Sequence, residues 1–139
     1  MNTPKMTLIS KTEMYKRVKI NPDKLIKVLL TLGNEYCHSV SKDKWSPKNP
    51  TRGYCYRLSE VVAYRLRKMK VPYHTYQIKT KSSNHWFVVL DNDSVIIDLM
   101  VQSKGTRYEK GVRRNFFPCN TKSGMSIGAT EIAKGLGIL

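Results

Sequence analysis

The sequence predicts an α+β fold with helices packed on an antiparallel sheet. Two stretches, Leu25 to Tyr36 and Leu58 to Met69, carry apolar residues at the three-and-four spacing of core-facing helices. Three strand-like runs follow in succession between Tyr73 and Met100, separated by turn residues. The chain of 139 residues has no internal repeat and no low-complexity segment, so one domain accounts for it.

The boundaries follow from local chemistry. Residues 1–20 mix Thr, Lys and Met around one short apolar piece, Met6 to Ile9, and read as an N-terminal arm or peripheral element. Residues 21–139 form the single α+β domain. Asn21-Pro22-Asp23 opens a helix, with Pro in the first turn and Asp complementing the helix dipole. This helix runs through Leu25, Ile26, Val28, Leu29, Leu30 and Leu32 and packs under the sheet. Ser39 to Arg52 is a polar loop rich in Pro, Lys, Ser and Asn, with Trp45 isolated in it. A tryptophan so placed anchors the loop on the core or walls a substrate groove.

The second helix begins at about Gly53 and stops before Val71-Pro72. Its stripe is Leu58, Val61, Val62, Leu66 and Met69. The strands are Tyr73 to Thr80, which alternates, His85 to Leu90, apolar on both faces and hence central, and Val95 to Met100. Asp91 to Ser94 is the turn between the last two. Beyond Gln102 the chain is basic and irregular, and it closes in a short helix from Thr130 to Ile138.

Composition narrows the function classes. Hydrophobic content of 40% with 25% charged residues describes a globular chain, not a disordered one. No apolar run reaches bilayer length, and the N-terminus lacks a signal-peptide core, so no membrane association is expected. Cys37, Cys55 and Cys119 are odd in number and have no paired spacing, which suits free thiols in a reducing cytoplasm. No two cysteines have zinc-ligand spacing, and Gly124 to Gly128 lacks the lysine of a phosphate loop; no metal or cofactor is expected. Twenty-five Lys and Arg against 10 Asp and Glu give a net charge of +15. That field attracts an acidic protein or peptide, or nucleic acid, although basic residues scattered along the chain also suit a solvated surface. Tyr73, Tyr76, Phe116 and Phe117 supply stacking surface for bases without any recognised nucleic-acid motif.

One constellation carries chemistry. Cys55 lies three residues before Leu58, at the N-terminal end of the helix stripe, where unpaired N–H groups and the dipole favour thiolate. A buried thiol filling the core fits the same position. His85 opens the central strand, and Asp98 interrupts the apolar run Val95 to Met100. A carboxylate there is costly unless it is hydrogen-bonded. If Leu90 pairs with Val95 across the four-residue turn, Val89 faces Ile96 and Phe87 faces Asp98. His85, Phe87 and Val89 then share a face with Ile96, Asp98 and Met100. His85 and Asp98 become diagonal neighbours, and a loop one residue different would separate them. As a buried polar pair they would pin strand register. Together with Cys55 they have the order of a thiol triad: Cys55 as nucleophile, His85 as base and Asp98 as the group that orients it. Cys37 and His38, adjacent on a helix, face about 100° apart and make a poor pair.

The segment Trp45-Ser-Pro-Lys-Asn-Pro, continuing to Gly53-Tyr-Cys55, resembles the W-S-P-x-N-P-x-x-G-Q-C motif of small YunG-type proteins of bacteria and phages. His85-Trp86-Phe87, Ile97-Asp98-Leu99 with Gln102, Tyr108 to Gly111 and Ser126 to Leu136 extend the resemblance to the C-terminus. It implies a papain- or transglutaminase-like core with Cys55, His85 and Asp98 in the three roles. Tyr54 stands where that motif has Gln and Met100 where it has Thr. Gln beside the cysteine helps hold an oxyanion in such sites, so Tyr54, the side chain of Asn49 and the N–H groups at the helix start are the candidates for that role. Trp45 and Trp86 are candidate groove-lining residues.

The expectation is a small cytoplasmic cysteine hydrolase or acyltransferase acting on an amide, isopeptide or thioester. A compact basic chain also suits a phage-encoded or host-modulating protein. The alternative is a non-catalytic basic module that keeps the scaffold and binds nucleic acid or an acidic protein.

Overall fold

The computed structural model of the chain describes residues 6–40, 54–79, 84–100 and 106–139, with backbone only for 33–40. The elements are β1 (Thr7–Leu8), α1 (Lys11–Val18), α2 (Pro22–Val40), α3 (Cys55–Lys68), β2 (His74–Lys79), β3 (Asn84–Leu90), β4 (Val95–Ile97), β5 (Val112–Arg113) and α4 (Ile127–Gly135). The chain is α+β.

The five strands lie in the order β1-β4-β3-β2-β5. The expected antiparallel sheet is in fact mixed, because β1 joins β4 in parallel, Thr7 opposite Val95 and Leu8 opposite Ile96. β3 and β4 pair with Leu90 opposite Val95, Val89 opposite Ile96 and Val88 opposite Ile97, the register expected across the four-residue turn. That turn is held in an unusual backbone: Asp91, Asn92 and Asp93 have φ of 52°, 58° and 65°. Asp and Asn tolerate this left-handed region better than most side chains. The Asp93 carboxylate closes the turn onto the sheet. It accepts from Tyr76 Oη at 2.9 Å and Arg113 Nε at 3.0 Å, and its other oxygen meets His74 Nδ1 at 3.0 Å.

β4 ends at Ile97, although the apolar run continues to Met100. Its next backbone groups are taken by other partners. Asp98 N–H points to Met14 Sδ at 3.4 Å, and Lys11 Nζ donates to the carbonyls of Asp98 and Met100 at 2.6 and 2.5 Å. Within the stretch read from sequence as an arm or peripheral element, residues 6–20 therefore hold a strand and a capped helix. Ser10 Oγ accepts from Glu13 N–H at 3.1 Å, and Met14 and Val18, one turn apart, are fully buried.

The sheet is covered on both faces. Val88, Leu90, Ile97 and Leu99 meet Leu58, Val61, Val62 and Leu66 of α3 in the main core, with Leu25 and Leu29 of α2 and Ala129 and Ile132 of α4. The opposite face carries a smaller cluster of Tyr76, Ile78, Phe87, Val89, Ile96 and Tyr108. α4 begins at Ile127, three residues before the Thr130 start expected from sequence, because Ser126 caps it. The Glu60 carboxylate of α3 accepts from Ser126 N–H at 2.9 Å and Ser126 Oγ at 2.6 Å, placing negative charge at the α4 N-terminus.

Gly111 locks the smaller cluster. A Cβ there would lie 2.8 Å from Phe87 Cζ and 3.1 Å from the Tyr108 carbonyl. Gly111→Ala is therefore expected to lose about 1–3 kcal/mol of stability by overpacking. Urea unfolding checks this, and unchanged stability would mean that Phe87 shifts without cost.

Candidate active site

The first residue of α3 is Cys55, directly after Tyr54, whose carbonyl accepts from Leu58 N–H at 2.8 Å. The thiol thus sits in the first turn, where the helical N–H groups have no partner four residues back. Its Sγ lies 3.6 Å from the Asn84 carbonyl at the start of β3. The next residue on that strand is His85. Alternation sends the imidazole onto the smaller-cluster face, beside Phe87 and Tyr108, with ring centroids 6.4 and 6.2 Å away.

His85 Nε2 is 2.7 Å from Asp98 Oδ2. The pair is well enclosed, with side-chain exposure of 16% for His85 and 2% for Asp98. Among the described residues the Asp98 carboxylate has two further donors: Tyr108 Oη donates to Oδ2 at 2.7 Å, and Met100 N–H donates to Oδ1 at 3.2 Å. Asp98 Cα lies just beyond the β3–β4 ladder, so its side chain follows the strand alternation while its backbone is held by Lys11 and Met14.

The electrostatics follow from this enclosure. Burial pulls the His85 pKa down, but hydrogen bonds to Asp98 and Cys55 and their charges outweigh it and push it up to about 9. With Nε2 on Asp98, Nδ1 is the ring nitrogen left for the thiol. A proton held on the imidazole beside a sulfur is the condition for an imidazolium–thiolate pair. The phenol of Tyr108 is pushed up by burial, then by the charge and hydrogen bond of Asp98, so it stays a neutral donor. Burial lowers the Lys11 ammonium while the Asp98 charge opposes the shift.

The structure brings Cys55, His85 and Asp98 together. Tyr54 is placed differently: its ring is fully buried in the main core, with the Arg57 guanidinium carbon 5.8 Å from its centroid. Trp86 faces away from His85 across the strand and is almost buried against Tyr56, Phe116 and Phe117. Trp45, Asn49 and Gln102, together with the side chains of Cys37 and His38, lie outside the described residues. Among the described residues no three His, Cys, Asp or Glu side chains group to hold a metal ion, and no helix is long and apolar enough to cross a membrane.

Sequence reasoning did not assign roles to Lys11, Met14 and Tyr108, which surround Asp98. Tyr108 sits in an irregular basic stretch where periodicity carries no signal. Its hydroxyl competes with His85 for the same carboxylate oxygen. Tyr108→Phe is expected to lose about 1–2 kcal/mol of stability. It should also move the His85 titration upward, because Asp98 loses a competing donor. NMR titration of the ring reads the direction, and a downward shift would contradict this account of the network.

Comparisons of the chain with protein-family models, curated sequences and solved structures find no significant match.

Proposed function

We propose that the chain is a small thiol-dependent acyl-transfer enzyme, acting as a hydrolase on an amide, isopeptide or thioester. The observation that carries this reading is the 2.7 Å His85–Asp98 bond with Cys55 as the imidazole's other partner. A register-pinning polar pair would need neither the thiol nor the helix start. The resemblance of the Trp45-to-Cys55 segment and the His85 and Asp98 strands to YunG-type proteins, with a papain- or transglutaminase-like core, supports the same assignment.

The chemistry follows from the residues. Cys55 thiolate attacks the carbonyl carbon and the carbonyl oxygen gains the negative charge. The first-turn N–H groups of α3, which have no helical partner four residues back, are the donors available to it. As the tetrahedral species collapses, His85 gives its proton to the leaving amine or thiol, and a thioester to Cys55 remains. Water then attacks the thioester, with His85 taking one proton, and the acid leaves as the thiol is restored. Asp98 stabilises the imidazolium and holds the ring without taking its proton.

The test is per-cysteine alkylation of the folded chain across pH, read by mass spectrometry. Cys55 should label well below the pH of an ordinary thiol. Cys119 is the internal contrast, since burial and then Glu60 push its thiol up. Equal labelling of the two cysteines at neutral pH would remove the main support for the enzyme reading.

A second reading has its own observation. Lys24, Lys27 and Lys134 line a groove between α2 and α4, and Lys11, Lys16 and Lys19 line another beside α1, on a chain of net charge +15. A basic binding module would associate with nucleic acid or an acidic protein in a steeply salt-dependent way, indifferent to Cys55→Ala.

A further inference from the structure

We propose that Lys11 is a positioning residue of the thiol site, fixing the turn at residues 98–100 so that Asp98 Oδ2 meets His85. The inference rests on the thiol reading above and names a residue through which that site is assembled. Asp98 stands one residue past the end of β4, where the β3–β4 ladder no longer fixes its backbone. Lys11 takes over there. Its Nζ donates to the carbonyls of Asp98 at 2.6 Å and Met100 at 2.5 Å, drawing two alternate peptide units onto one nitrogen. Such charge-assisted bonds are roughly twice as strong as neutral ones. The Asp98 N–H, by contrast, points to the thioether of Met14, a weak acceptor.

The carboxylate inherits this order. With both carbonyls held, Met100 N–H is aimed back at Asp98 Oδ1 at 3.2 Å, the turn an aspartate side chain forms with the backbone two residues on. Oδ1 is thereby occupied within its own turn. Oδ2 is the oxygen presented to His85 Nε2 and Tyr108 Oη, each at 2.7 Å. Local rules do not account for Lys11. It is the first residue of α1, where the helix dipole opposes a cation, and a lysine there would ordinarily extend its ammonium to water. Instead the ammonium turns inward onto the two carbonyls, and burial lowers its pKa against the pull of Asp98. A cation desolvated at a position the helix disfavours marks a group retained for where it is held.

The experiment follows the His85 ring by NMR titration in the full chain carrying Cys55→Ala, so that the thiol no longer contributes to its shift. Adding Lys11→Met, which keeps the apolar stem, is expected to lower the His85 pKa by about one unit, a tenfold weaker hold on the proton. Adding Lys11→Arg instead, which keeps the charge and the donors, should retain most of the wild-type value. Loss of the Lys11 charge alone would act the other way, because removing a cation near Asp98 favours the imidazolium. The downward sign therefore reads orientation. With Cys55 intact, Lys11→Met should also slow iodoacetamide labelling of Cys55 at pH 6.5 by up to about 10-fold and leave Cys119 unchanged. A His85 titration unmoved or raised by Lys11→Met, an equal fall in Lys11→Arg, or unaltered Cys55 labelling overturns the proposal and leaves Lys11 a staple for stability. If Lys11→Met does not fold, Lys11→Gln, which loses the charge and keeps an amide donor, is read by the same criteria. The wild type separates the two failures. If its Cys55 labels faster than Cys119, the thiol reading stands whatever the Lys11 variants show. If it does not, that reading falls and this one falls with it.

Discussion

Replacing His85 with alanine is expected to slow iodoacetamide labelling of Cys55 at pH 6.5 by about 10- to 100-fold. An ordinary thiol has a pKa of about 8.5, so only about one part in a hundred is thiolate at that pH. The imidazole of His85, held protonated up to about 9, places a positive charge beside the sulfur, and a neighbouring cation favours thiolate. Part of the gain is offset because a stabilised thiolate is a weaker nucleophile, which sets the lower end of the range. The shape of the pH profile should change as well. Wild-type labelling should begin at low pH and change again near pH 9, where His85 loses its proton. The alanine variant should follow one ordinary thiol titration. Turnover of any substrate should fall further, by about 10²–10⁴, because the proton donor to the leaving group is also gone. Superimposable profiles for the two proteins would show that Cys55 and His85 are not coupled.

Asp98→Ala is expected to be the most destabilising single change at the site, by about 3–5 kcal/mol. It strips the acceptor from both His85 Nε2 and Tyr108 Oη in an enclosed setting. Asp98→Asn, which keeps volume, should cost less and isolate the charge. The His85 pKa is raised in the folded chain from its ordinary 6.5 to about 9. The stabilisation linked to that proton is therefore fully present below pH 6.5 and is lost as pH rises through about 9. Its size is about 3 kcal/mol, from 1.36 kcal/mol per pH unit. Urea unfolding of Cys55→Ala, which removes the thiol's opposing titration, at pH 6 and pH 9.5 should show the Asp98-dependent part of this loss, and adding Asp98→Asn should shrink it. A Cys55→Ala stability that rises over that interval would reverse the assigned sign.

Much of the site was legible because it depends on local rules. The spacing from Leu58 to Met69 located α3 and set Cys55 at its start. The four residues Asp91 to Ser94 fixed which β3 side chain faces which on β4, and alternation then carried His85 and Asp98 to one face. The turn chemistry was less visible. Three successive left-handed residues and the clasp of Asp93 by Tyr76 and Arg113 hold that register, and Arg113 comes from a strand too short to show periodicity. The start of α4 was missed because Ser126 gains its capping role partly through Glu60, 66 positions earlier.

By itself the sequence determined the α+β class, α2 and α3, the β3–β4 hairpin and the pairing of His85 with Asp98. Each follows from fixed helical or strand geometry acting over a few neighbouring residues. Only the tertiary structure decided that β1 makes the sheet mixed, that Met14 and Lys11 hold the Asp98 backbone, that Tyr108 shares its carboxylate, and that Tyr54 enters the main core. Lys11 and Asp98 are 87 positions apart, and no local period links them. Such contacts exist only once packing has closed the intervening chain, with burial of Met14 and Val18 repaying the entropy of ordering that segment.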